Sequence, residues 1–136
     1  MQGARCFSDE SLAKLRETCQ QEPDLAALYA FDLRPSQDCN LAALFAEPLS
    51  WPRRLELELS VAAALGLEGV ELVNLRRLPL VARYDVLNRG EPLHVGLPEV
   101  LAMFIEETVV RYSAFYPLLE ALYWQVETKP LAEDML

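Results

Sequence analysis

Glycine is absent between Gly3 and Gly66 of this 136-residue chain. The gap excludes a glycine-rich phosphate loop in that stretch, because such loops need backbone free of side chains to approach phosphate. One histidine, His94, excludes a histidine-rich metal site. The three cysteines (Cys6, Cys19, Cys39) form neither a CxxC pair nor a zinc spacing, and read as reduced thiols of a cytoplasmic protein. No apolar run approaches the roughly 18 residues of a membrane span, and the N-terminus leads into no signal-peptide core, so no membrane role is expected. Basic residues are also scarce. Twelve stand against twenty-one acidic ones, a net charge of −9, which disfavours non-specific binding to nucleic acid or anionic lipid.

What is present is an ordinary globular balance, 52% hydrophobic and 24% charged, in a length that builds one domain without staples. Residues 1–7 and 128–136 read as loose ends of a single domain spanning 1–136. Ser8 or Asp9 can cap a helix carrying Leu12, Leu15 and Cys19, stopped by Pro23. Leu25 to Phe31 and Leu41 to Phe45 are short apolar runs, read as buried strands around a turn at Pro35–Asp38. Ser50 can cap a second helix with Pro52 in its first turn. Leu55, Leu59, Ala62 and Ala63 keep helical spacing there, and Gly66 fits the C-terminal cap.

A third strand is expected over Val70–Leu75, a helix from Pro79 to Gly90, and an edge strand over Pro92–Val95. From Pro98 to about Val126 the stripe Leu101, Phe104, Thr108, Tyr112, Phe115, Leu119 and Tyr123 predicts a long helix, kinked at Pro117. The order α-β-β-α-β-α-β-α predicts an α+β fold, a mixed sheet of about four strands with helices packed against it.

Three segments together resemble the minimal nucleotidyltransferase family of the DNA polymerase β-like nucleotidyltransferase superfamily. Leu28–Arg34 followed by Asp38–Phe45 is similar to the family's strand, Gly-Ser turn and Ser-Asp-x-Asp-Leu strand. Gly69–Pro79 is similar to its Val-Asp-Leu-Val-Asp-Leu strand and proline-led helix, and Leu78–His94 to its closing helix, glycine and strand. The resemblance implies transfer of a nucleoside monophosphate from a nucleoside triphosphate. Carboxylates at i and i+2 on one strand, with a third on a neighbour, share magnesium, and Gly-Ser admits the phosphates.

Placed on this sequence, Asp38 matches the first metal carboxylate, Asn40 replaces the second, and Glu71 stands for the third. Asn74 replaces a further acid. Asp32 and Leu33 fall where Gly-Ser should be, so Asp32, Leu33, Arg34 and Arg77 are the candidates for the phosphate side. An amide brings no charge to a magnesium site, and leucine offers no hydroxyl. Because phosphoryl transfer rests on positioning and charge stabilisation, these losses compound. The resemblance therefore implies an eroded member, inactive or nearly so, acting as an antitoxin-like partner of a small helical HEPN-domain toxin. The alternative is an active enzyme using Mg2+ and an NTP at Asp38, Asn40 and Glu71. The aromatic-rich helix over 98–126 is the expected surface for a copy of the chain or another protein.

Overall fold

The structure is a computed structural model that describes residues 7–31 and 40–135. Helix α1 (Asp9–Gln20) begins where the Ser8 hydroxyl accepts the Ser11 amide at 3.1 Å, with Asp9 and Glu10 in the positive first turn. Strands β1 (Leu25–Phe31) and β2 (Asn40–Phe45) follow as expected; the expected turn at Pro35–Asp38 lies outside the described residues. Helix α2 (Trp51–Leu65) stops at Gly66, whose φ of 71° is the left-handed cap conformation. Strand β3 is only Leu72–Asn74, followed by a 3₁₀ turn at Leu75–Arg77. Then come α3 (Leu80–Arg89), β4 (Glu91–Val95) and α4 (Pro98–Met135).

The sheet order is β3-β2-β1-β4. β1 is antiparallel to both β2 and β4, and β2 is parallel to β3, so the sheet is mixed and the fold α+β. Side chains alternate between two covered faces. Leu28, Ala30, Leu41, Ala43 and Leu72 meet Leu15, Cys19, Leu57, Val61 and Leu65 of α1 and α2. Ala27, Tyr29, Ala42 and Leu44 meet Leu75, Val86, Leu101 and Phe104 on the side of α3 and α4. Helices on both faces explain why β1 and β2 are continuous apolar runs rather than alternating ones.

Three expectations are corrected. The third strand is shorter than Val70–Leu75, because Asn74 turns the chain: its Oδ1 accepts the Arg76 amide at 3.0 Å and starts the 3₁₀ turn. The inward side of α2 is Leu57, Val61, Ala62 and Leu65, whereas Leu55 and Leu59 are 39% and 64% exposed. Alternating leucines offer two candidate stripes, and only docking on α1 and the sheet selects one. Finally, α4 does not stop near Val126 but continues as helix through Pro117 and Pro130 to Met135.

Candidate functional site

Antiparallel and parallel pairing together bring the end of β1 and the starts of β2 and β3 to one end of the sheet. Phe31 pairs directly with Asn40. The β2–β3 ladder begins at Leu41 and Leu72, so one step back sets Asn40 beside Glu71. Period-two alternation places all three on the side that carries Ala42 and Val73, the face of α3 and α4. Phe31 and Asn40 are half-buried and Glu71 is exposed. Two of the expected site residues, Asn40 and Glu71, are therefore neighbours on one sheet corner. Asp38, Asp32, Leu33 and Arg34 lie outside the described residues.

Arg77 is elsewhere. It closes the turn after β3, at the opposite end of the strands from Asn40 and Glu71. Its neighbour Arg76 donates through Nε to the carbonyl of Phe45, the last residue of β2, at 3.1 Å. Five residue-to-residue steps along β2 separate that point from Asn40, about 17 Å at ~3.4 Å each. Arg77 thus does not join the corner, because the chain leaves β3 away from its start.

The other arginines there hold structure. Arg83 donates to the carbonyls of Arg76 at 2.9 Å and Leu78 at 3.3 Å. The Arg76 and Arg83 guanidinium carbons lie 5.4 and 5.2 Å from the centre of the Phe104 ring, so both cations share one aromatic partner.

A pair that the sequence reading did not single out seats the Glu71 strand. β3 is an edge, and Leu72 turns its amide and carbonyl away from β2. Glu58 Oε2 accepts the Leu72 amide at 3.1 Å, and Arg54 donates to the Leu72 carbonyl. Arg54 Nε also lies 3.5 Å from Glu58 Oε2. One turn of α2 therefore closes an edge that would otherwise be open for pairing. The only sequence signal was the i, i+4 charge pair, which does not say what it reaches.

Among the described residues no three His, Cys, Asp or Glu side chains converge on a possible metal position. At the corner they supply one carboxylate, Glu71, beside the uncharged Asn40. Magnesium binds through carboxylates and phosphate oxygens, so of these two Glu71 is the one that would hold it. Burial pushes the Cys19 thiol pKa up to about 12, which favours its protonated form. Among the described residues no helix is long and apolar enough to cross a membrane.

A mixed four-stranded sheet in this order, helices on both faces and a long closing helix define a nucleotidyltransferase-like α+β fold. Solved structures of that kind are similar along nearly the whole chain. A chain in the crystal structure of the MntA–HepT toxin–antitoxin pair shares 25% identity at a TM-score of 0.59, over 94% of this chain and 98% of that one. A chain in the complex of the tri-AMPylated Shewanella oneidensis HEPN toxin with its MNT antitoxin shares 25% at 0.57, over 92% and 95%. A chain from a toxin–antitoxin structure with AMP-PNP shares 24% at 0.57, over 91% and 97%. The fold is thus minimal-nucleotidyltransferase-like. Neither a family model nor a curated protein sequence matches the chain.

Proposed function

We propose that this chain is a catalytically silent nucleotidyltransferase-fold antitoxin, acting in the cytoplasm by binding a small helical HEPN-type toxin. The observation that carries the reading is Asn40 beside Glu71 at one corner of the sheet. An acid at position 40 would add the negative charge that holds a cation between the two strands. An amide keeps the shape and loses that charge. The sequence adds to the loss at Asp32 and Leu33, the positions that match the resembled family's Gly-Ser, since an aspartate repels a triphosphate and a leucine offers no hydroxyl. The likeness to chains of toxin–antitoxin complexes supports the kind of partner.

The test is a pair of assays with the helical protein encoded in the adjacent reading frame. Incubated with labelled ATP and magnesium, this chain is expected to transfer no label to that protein. Co-expressed with it, both the wild-type chain and Asp38→Ala are expected to relieve its toxicity equally. Asn40→Asp is expected to create no transfer, because the phosphate side of the site would still be missing. Label transfer that vanishes in Asp38→Ala would overturn the reading and favour an active Mg2+-dependent enzyme working through Asp38 and Glu71. The AMPylated toxin in the S. oneidensis complex is the observation that makes this second reading worth testing.

A further inference from the structure

Helix α4 is 38 residues long, about 57 Å at ~1.5 Å per residue, and far longer than the sheet needs. Leu101, Phe104 and Thr108 are buried and Tyr112 and Phe115 half-buried, whereas 116–118 and 120–122 are exposed. Tyr84 of α3 stacks on Tyr112, with ring centres 3.9 Å apart, and so fixes this helix near the middle of the described side chains.

On the side opposite Leu101 and Thr108 runs a second apolar line. Met103, Val110 and Pro117 recur every seven residues, Ala114 falls between the last two, Leu118 and Ala121 continue the line, and all are exposed. Met103, Val110 and Leu118 are 70%, 62% and 59% accessible. A seven-residue repeat on a rigid helix is the seam a second helix packs along at a shallow angle.

The charges beside the seam say what kind of helix. Glu99, Glu106, Glu107 and Glu120 flank it and are exposed. The one basic residue over 98–122 is Arg111, and its guanidinium lies 3.1 Å from Glu107. A second copy of this chain would bring the same four carboxylates against these four. A helix with an apolar stripe and Lys or Arg along its rim would neutralise them, and its long aliphatic stems would cover the seam's edges.

The geometry points to this outer seam of α4, Met103 to Ala121, as the docking surface for an apolar, basic-rimmed helix of the protein partner. This deepens the antitoxin reading and rests on it, with the partner being the HEPN-type toxin. The seam faces away from the sheet, so docking needs no unfolding of the domain.

The probe is the helical protein from the adjacent reading frame, titrated into the full chain by calorimetry at two salt concentrations. Wild-type binding is expected, and weaker at high salt. Val110→Glu and Leu118→Glu, exposed and therefore harmless to folding, are each expected to weaken it by about tenfold or more, as central interface residues do. Leu59→Glu on α2, equally exposed but under the other face of the sheet, is expected to bind as wild type. Unchanged binding by both seam variants overturns the seam while leaving the antitoxin reading intact, as does loss of binding in Leu59→Glu alone. Failure of the wild-type chain to bind overturns both. A stable dimer of this chain by sedimentation, abolished by Val110→Glu, assigns the seam to self-association and also overturns the proposal.

Discussion

Replacing Glu58 by alanine removes the acceptor that holds the outer edge of β3. The Leu72 amide is part-buried and donates to Glu58 Oε2 at 3.1 Å. Without that oxygen the amide is left unpaired against α2, where little water reaches it. A hydrogen bond to a charged group contributes about 1.5–3 kcal/mol, and an orphaned buried donor costs a similar amount. The ion pair with Arg54 adds little, because the two side chains are 34% and 18% exposed and such pairs are worth about 1 kcal/mol or less. Glu58→Ala is therefore expected to lose about 2 kcal/mol.

Glu58→Gln keeps a carbonyl oxygen for Leu72 and gives up only the charge, so it should lose about 0.5–1 kcal/mol. Urea titrations followed by circular dichroism give both numbers, and hydrogen exchange at the Leu72 amide locates the effect. Protection there should fall in the alanine variant and persist in the glutamine one. Equal stability of the two variants, or an equally protected Leu72 amide, would refute the idea that Glu58 seats the strand leading from Glu71.

Other consequences follow from burial and backbone geometry. Burial holds the His94 pKa below its ordinary value, and the Arg16 charge adds to this. The unfolded chain then takes up a proton first as pH falls, so the stability His94 contributes is full above about pH 6.5 and declines through the folded pKa. Thermal midpoints between pH 7.5 and 5 should fall less in His94→Gln than in wild type. A methyl group on Gly90 would run into the Val86 carbonyl and sit 3.2 Å from the Ala30 carbonyl, both backbone atoms. Gly90→Ala should cost about 1–3 kcal/mol, whereas Gly69→Ala, with nothing within 4 Å, should fall within about 0.5 kcal/mol of wild type in the same urea assay. With its pKa pushed up to about 12, Cys19 should resist iodoacetamide at pH 8 in the folded protein and react only in urea, as peptide mapping would reveal.

Much of this architecture is written locally. Ser8 and Gly66 mark helix ends because a hydroxyl can accept an orphan amide and glycine alone adopts φ of 71° without cost. Leu25–Phe31 and the run ending at Phe45 are apolar without interruption, which suffices to bury both faces of a strand. Composition also excluded a histidine-rich metal site and a glycine-rich loop between Gly3 and Gly66, since residues that do not occur cannot be supplied by folding. The family resemblance placed Asn40 and Glu71 as site positions, and the strand register set them side by side.

What the tertiary structure decided was everything that depends on which faces meet. Leu57 rather than Leu55 or Leu59 is inside α2, because two equivalent stripes are separated only by the surface they dock on. Arg77 is distant from Asn40 because β3 runs parallel to β2 and delivers its last residues to the far end of the sheet. Arg54 and Glu58 became partners of Leu72 only when β3 took the edge, leaving one amide and one carbonyl without a neighbouring strand. The outer seam of α4 is equally a product of packing. Its residues are as apolar as the inner stripe, and only the sheet's claim on Leu101, Phe104 and Thr108 leaves Met103, Val110 and Leu118 facing water.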